Sequence, residues 1–124
     1  MPTVAILLGQ GTGGAALALL PADRVLAAEH GWLAPLAPEG ASMIVYRDTA
    51  PAPELAARQG IRAADLAAVG LVDRIVAEHD HGQLLADLGR LLAAELRSLA
   101  ADDDGDRLAS RQRRHRHLGM AHPD

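Results

Sequence analysis

The chain has 124 residues, of which 49% are hydrophobic, and a formal net charge of −4; that is enough for one domain with one core. Cysteine is absent and all 12 cationic residues are arginine, which excludes disulfides, thiolate nucleophiles, thiolate zinc sites and lysine chemistry on this chain. There is no apolar run of about 18 residues, and no basic segment followed by an apolar stretch at the N-terminus, so neither a membrane span nor a signal peptide is expected and the expected compartment is the cytoplasm.

The elements are predicted in chain order as follows. Thr3 to Leu8 is a short apolar run ending at Gly9, the pattern of a buried strand in a parallel sheet. Gly9, Gly11, Gly13 and Gly14 then predict a turn, and Ala15 to Leu20 a helix closed by Pro21. Arg24 to Ala28 is a second strand and Leu33 to Leu36 a third, separated by the His30-Gly31 turn. Helices are expected over Glu39 to Tyr46, with Pro38 in the first turn, over Glu54 to Arg58, and over Ala63 to Val69, with Val72 to Val76 as a further strand.

From Gln83 to Leu99 the residues Leu84, Leu85, Leu88, Leu91, Leu92, Leu96 and Leu99 recur at helical spacing, the clearest amphipathic helix in the chain. Asp102 to Asp106 predicts an acidic linker, and Arg107 to Leu118 a short basic helix before the Gly119 to Asp124 end. No internal repeat is found.

Glycines between a strand and a helix let backbone N–H groups approach a ligand, and the positive end of the helix dipole adds to them, so the site suits an anion or oxyanion. Gly9, Gly11 and Gly14 also satisfy G-x-G-x-x-G, with Glu29 about twenty residues on, so a dinucleotide-binding Rossmann-type module is an alternative. The helix after Thr12 is short for that unit, and the rest of the chain does not keep alternating strand with long helix.

The run Gly9 to Gly14, then Ala15-Ala16-Leu17-Ala18 and Ala22-Asp23-Arg24-Val25-Leu26, resembles acetyl-CoA carboxylase carboxyltransferase alpha subunits. Trp32, Pro38-Glu39-Gly40-Ala41-Ser42, Tyr46-Arg47-Asp48, Ala52-Pro53-Glu54, Ala63-Ala64-Asp65-Leu66 and Gly70 to Val76 follow in that family's order. The resemblance implies an α/β fold, the C-terminal part of a crotonase-like ββα superhelix, followed by C-terminal helices. On it, residues 1–78 form a partial carboxyltransferase domain, 79–101 an amphipathic leucine-rich helix, and 102–124 an acidic linker with a basic tail.

The resemblance further implies transfer of a carboxyl group from carboxybiotin, supplied by a biotin carboxyl carrier protein, to acetyl-CoA as substrate, giving malonyl-CoA. Its partners would be a beta-type carboxyltransferase subunit and the carrier in a hetero-oligomer; the absence of cysteine and of a converging ligand set separately predicts no metal on this chain. The implied catalytic residues are Gly13 and Gly14, with Gly14 as oxyanion donor and Gly13 shaping the turn; Gly9, Gly11, Thr12, Glu39 and Gly40 are the implied cofactor-binding residues. Backbone donors suit this reaction, because deprotonation beside a thioester carbonyl creates an enolate oxyanion. Hydratase relatives carry a glutamate three residues beyond the equivalent glycine; Leu17 stands there, which argues against hydration.

The family also has an earlier region with a glycine-proline loop, so the chain is expected to be a fragment, a truncated product or a split subunit, and to need a partner chain for catalysis. Gln10 replaces the family's usual glutamate, and Ala77 to Gly82 replaces its glycine-rich stretch. A non-catalytic remnant associating through Leu84 to Leu99 is the third reading.

Simpler accounts cover other motifs. Glu39 complements a helix dipole in its first turn. Glu78-His79-Asp80-His81 reads as a solvated loop, because adjacent residues seldom converge on one metal. Asp102 to Asp106 lacks the spacing of a calcium loop. The arginine tail has no aromatic residues for stacking on bases, which argues against nucleic acid and for an exposed or partner-facing helix.

Overall fold

A computed structural model describes residues 1–118. The chain runs β1 (Val4–Leu7), β2 (Gln10–Thr12), α1 (Gly13–Ala18), β3 (Arg24–Ala28), β4 (Trp32–Ala34), α2 (Pro38–Tyr46), α3 (Ala52–Gln59), α4 (Ala63–Ala68), β5 (Arg74–Val76), α5 (His81–Ala101) and α6 (Asp104–Arg116). The first seventy-odd residues thus contain two strand-strand-helix turns, β1-β2-α1 and β3-β4-α2, followed by two short helices and a fifth strand.

The two turns stack in register. β1, β3 and β5 form a parallel sheet in that order, with Val4 opposite Arg24 and Leu26 opposite Arg74. β2 and β4 form a separate parallel pair, with Gln10 opposite Trp32 and Thr12 opposite Ala34. The turn expected over Gly9 to Gly14 is therefore interrupted: Gln10–Thr12 is a strand, because Trp32–Ala34 offers it a parallel ladder. That long-range pairing overrides the weak strand preference of a glycine-rich segment. The strand expected over Leu33 to Leu36 likewise ends at Ala34, before Pro35, whose ring cannot donate to a ladder.

β3 is the central strand, and its successive side chains point to opposite faces. Val25 and Ala27 enter a cluster with Leu33, Ala63, Leu66 and Val72, packed by Leu7, Ala16 and Leu20. Ala28 enters a second cluster with Val76, Leu84 and Leu88. Burial on both faces explains the unbroken apolar run Val25 to Ala28.

The leucine helix forms as expected and starts where Asp80 accepts a hydrogen bond from the Gln83 N–H, an N-cap. Leu84, Leu88 and Leu99 are buried while Leu85 and Leu96 stay exposed, so much of the stripe is used within the chain. The acidic linker is shorter than expected. α6 already begins at Asp104, because Asp103 caps it through the Gly105 N–H and Asp104 and Asp106 complement its dipole.

The basic helix is not simply exposed. Arg107, Arg111 and Arg114 share one face. Arg107 is buried and donates to the Leu99 and Asp102 carbonyls. Arg111 donates to the Pro21 carbonyl, and Arg114 to the Asp23 carbonyl and to Asp73. The expected Gly119 to Asp124 end lies outside the described residues.

Candidate functional site

Parallel β2 and β4 end together at Thr12 and Ala34, so α1 and α2 both begin beyond the same end of this pair. α1 starts at once with Gly13, at φ 77°, a conformation that costs other residues strain. Thr12 gives no side-chain cap, which leaves the first-turn N–H groups without a side-chain partner. A Cβ on Gly13 or Gly14 would meet nothing within 4 Å, so the space beside these two glycines is open.

Gly11 plays a different part. It is buried in β2, and a Cβ there would lie 2.8 Å from a Leu33 methyl and 3.0 Å from a Leu7 methyl. It is a packing glycine, and its N–H belongs to a strand rather than to a loop wrapped around a pyrophosphate, which the dinucleotide reading requires. Gly9 and Gly11 border an apolar cavity of about 270 Å3, whose walls include Leu7, Leu19, Val25 and Leu33. Thr12 is half-buried at the end of β2.

Glu39 and Gly40 fall in the first turn of α2. Glu39 is exposed and lies on a second cavity, of about 310 Å3, with Trp32, Pro38, Pro53 and Arg62. The two cavities share no residue. The fold thus groups Gly9 to Gly14 and sets Glu39 and Gly40 on a neighbouring surface.

The loop that closes α1 is held by charge. Asp23, 3% exposed, accepts from the Thr3 N–H at 2.8 Å and from its hydroxyl at 2.9 Å, and Arg111 lies 3.5 Å from its other oxygen. Burial pushes this carboxyl up, but the Thr3 N–H, the Thr3 hydroxyl, Arg111 and Arg107 together outweigh it and hold it below its ordinary 3.8. Sequence reading missed this ionic lock; the recurrence of Arg107, Arg111 and Arg114 at helical spacing was its signal.

A family model described as acetyl co-enzyme A carboxylase carboxyltransferase-like matches residues 1–119. The chain belongs to that carboxyltransferase family. It is 57% identical over 124 residues to a probable biotin-dependent acyl-coenzyme A carboxylase beta3 subunit of Mycobacterium tuberculosis, across 96% of this chain and 25% of that one. It is 38% identical over 125 residues to the acetyl-coenzyme A carboxylase carboxyl transferase subunit alpha of Deinococcus radiodurans, across 96% of this chain and 40% of that one. This chain therefore spans a quarter to two fifths of the length of these relatives.

Among solved structures, transcarboxylase 12S with methylmalonyl-coenzyme A and methylmalonic acid bound superposes with a TM-score of 0.68 at 26% identity, covering 84% of this chain and 21% of that one. A Pseudomonas malonate decarboxylase hetero-tetramer gives 0.67 at 19% identity, over 89% of this chain and 43% of that one, and speaks to the fold alone. The paired strand-strand-helix turns are those of a crotonase-like carboxyltransferase, as the resemblance implied. Among the described residues, no helix is long and apolar enough to cross a membrane.

Proposed function

We propose that this chain supplies the glycine-turn part of a biotin-dependent acyl-CoA carboxyltransferase, with acetyl-CoA as acceptor and malonyl-CoA as product. The observation that carries the reading is Gly13 at φ 77°, opening α1 beside an unobstructed Gly14, in a chain of this family. Carboxybiotin on a carrier protein supplies the activated carboxyl group.

Loss of a proton from the carbon beside the thioester carbonyl shifts negative charge onto the carbonyl oxygen. Backbone donors already aimed at that oxygen stabilise it without reorganising, each contributing about 3–4 kcal/mol. Gly14 is assigned as such a donor, and Gly13 holds the turn that presents it. Leu17, one turn further along α1, has no carboxylate to take a proton, so α1 stabilises charge and does not act as a base. The aliphatic cavity beside Gly9 and Gly11 suits the apolar part of an acyl group. Thr12, Glu39 and Gly40 are assigned to the rim toward the carrier. A second set of donors, a beta-type subunit and the biotin carrier complete a hetero-oligomer in the cytoplasm.

The name of the mycobacterial relative, an acyl-coenzyme A carboxylase, favours a second reading in which longer acyl-CoA esters are accepted. Calorimetric titration with acetyl-CoA, a three-carbon acyl-CoA and NAD separates the possibilities. Acyl-CoA binding that weakens on Gly14→Val is the expected result, and the preferred ester identifies the acyl group. Binding of NAD that is lost on Gly11→Ala would overturn the reading.

A further inference from the structure

A second polar site lies away from the glycine turn. α5, α6 and the starts of β3 and β5 line an open cleft of about 980 Å3 that shares no residue with the cavity beside Gly9 and Gly11. Its lining carries four guanidinium groups, Arg24, Arg74, Arg113 and Arg114, against two carboxylates, Asp73 and Glu95. The cleft is therefore cationic in a chain of net charge −4.

The charges of the lining do not pair off evenly. Glu95, 8% exposed, is divided between Arg24 at 3.3 Å and Arg74 at 3.2 Å, so one carboxylate holds two cations in place without neutralising both. Asp73 is taken by Arg114 at 3.0 Å. Arg113 forms no ion pair among the described residues and is exposed. Ser98 on α5 and Ser110 on α6 add neutral hydroxyl donors to the same lining. Arg24, Ser110 and Arg113 also border an adjoining cleft whose walls include Asp102, Asp106 and Arg107.

Guanidinium groups fixed in advance, one free cation and hydroxyl donors in a concavity are what a phosphoryl group needs: several charge-assisted donors in a place that concentrates the field. Leu91 and Ala94 are the only apolar residues of the lining, too little for an apolar ligand. We propose that this cleft binds a small anion of the diphosphate class. Such a group occurs free, in nucleotides, and in coenzyme A itself, so the source must be told apart from the chemistry.

The test titrates the folded chain with inorganic pyrophosphate and, separately, with coenzyme A, by calorimetry at low and raised salt. Pyrophosphate is expected to bind, more weakly as salt rises, and Arg113→Glu to weaken it by at least about tenfold, the scale of one lost hydrogen bond to a charged group. Arg90→Glu, which reverses an exposed charge elsewhere on α5, is expected to change it little. Coenzyme A that competes with pyrophosphate and shows the same Arg113 dependence would support the site and assign its phosphates to the substrate. Pyrophosphate binding that coenzyme A does not displace would support a separate ligand. Absence of pyrophosphate binding, or equal losses in the two variants, would overturn the proposal, and neither result bears on the glycine turn.

Discussion

Gly13 and Gly14 are adjacent glycines kept for different reasons. At φ 77° Gly13 occupies the left-handed region, so Gly13→Ala is expected to lower stability by about 1–2 kcal/mol although space for the methyl exists. Gly14 is an ordinary helical residue in open surroundings. Gly14→Ala is expected to raise stability, by up to about 1 kcal/mol from helix propensity, while placing a methyl where the acyl-CoA is proposed to approach. Urea denaturation beside an acyl-CoA titration reads both quantities; a variant that is more stable but binds less well is the expected result. Asp23 gives a pH signature. Its carboxyl is held below its ordinary 3.8 in the folded chain, so its contribution to stability is complete above that value and is lost as pH falls through it toward the folded pKa. Asp23→Asn should therefore flatten the fall in stability as pH drops through the ordinary 3.8 and below it, and also lower stability at neutral pH by leaving Arg111 without its carboxylate.

At the scale of elements, α5 separates leucines that hold the fold from leucines that do not. Leu88→Ala is expected to cost about 2–5 kcal/mol, because Leu88 packs with Ala28, Val76 and Leu84. Leu85→Ala, at a site 54% exposed, should stay within about 0.5 kcal/mol. Equal costs in thermal unfolding would mean that the exposed flank of α5 is covered as well. The helices were largely legible because each carries its own local signals: Pro38 opens α2, and the leucine spacing marks α5. The shorter strands were less so. Gln10–Thr12 has the composition of a turn and is a strand only because Trp32–Ala34 lies beside it, a partner about twenty residues away that no local pattern reveals. The start of α6 within an acidic run was misread for a related reason: the Asp103 cap and the docking of Arg107 onto the end of α5 act together, and only the first is visible locally.

For the whole molecule, the fold was legible through resemblance: the ordered motifs from Gly9 to Val76 resemble those of a carboxyltransferase family, and that likeness implied the strand-strand-helix turns. The Gly9 to Gly14 run was legible as a glycine-rich junction between strand and helix. What sequence could not show was the division of labour within it, with Gly11 packing, Gly13 bending and Gly14 open, because that depends on Leu7 and Leu33 arriving from β1 and β4. Nor could it show that the arginine-rich end folds back on Pro21 to Asp23, the loop that closes α1. The most direct measurement of the central claim is carboxyl transfer from a carboxylated biotin carrier to acetyl-CoA by this chain assembled with a beta-type subunit, comparing the natural sequence with Gly14→Val. Transfer that falls by at least about a hundredfold in a variant that still folds and assembles is the predicted result: valine keeps the backbone N–H, but its branched side chain fills the open space beside Gly14 and keeps the oxyanion from reaching that donor, which forfeits the stabilisation of one donor. Undiminished transfer by Gly14→Val, or no transfer by the natural sequence in a complete assembly, would contradict it.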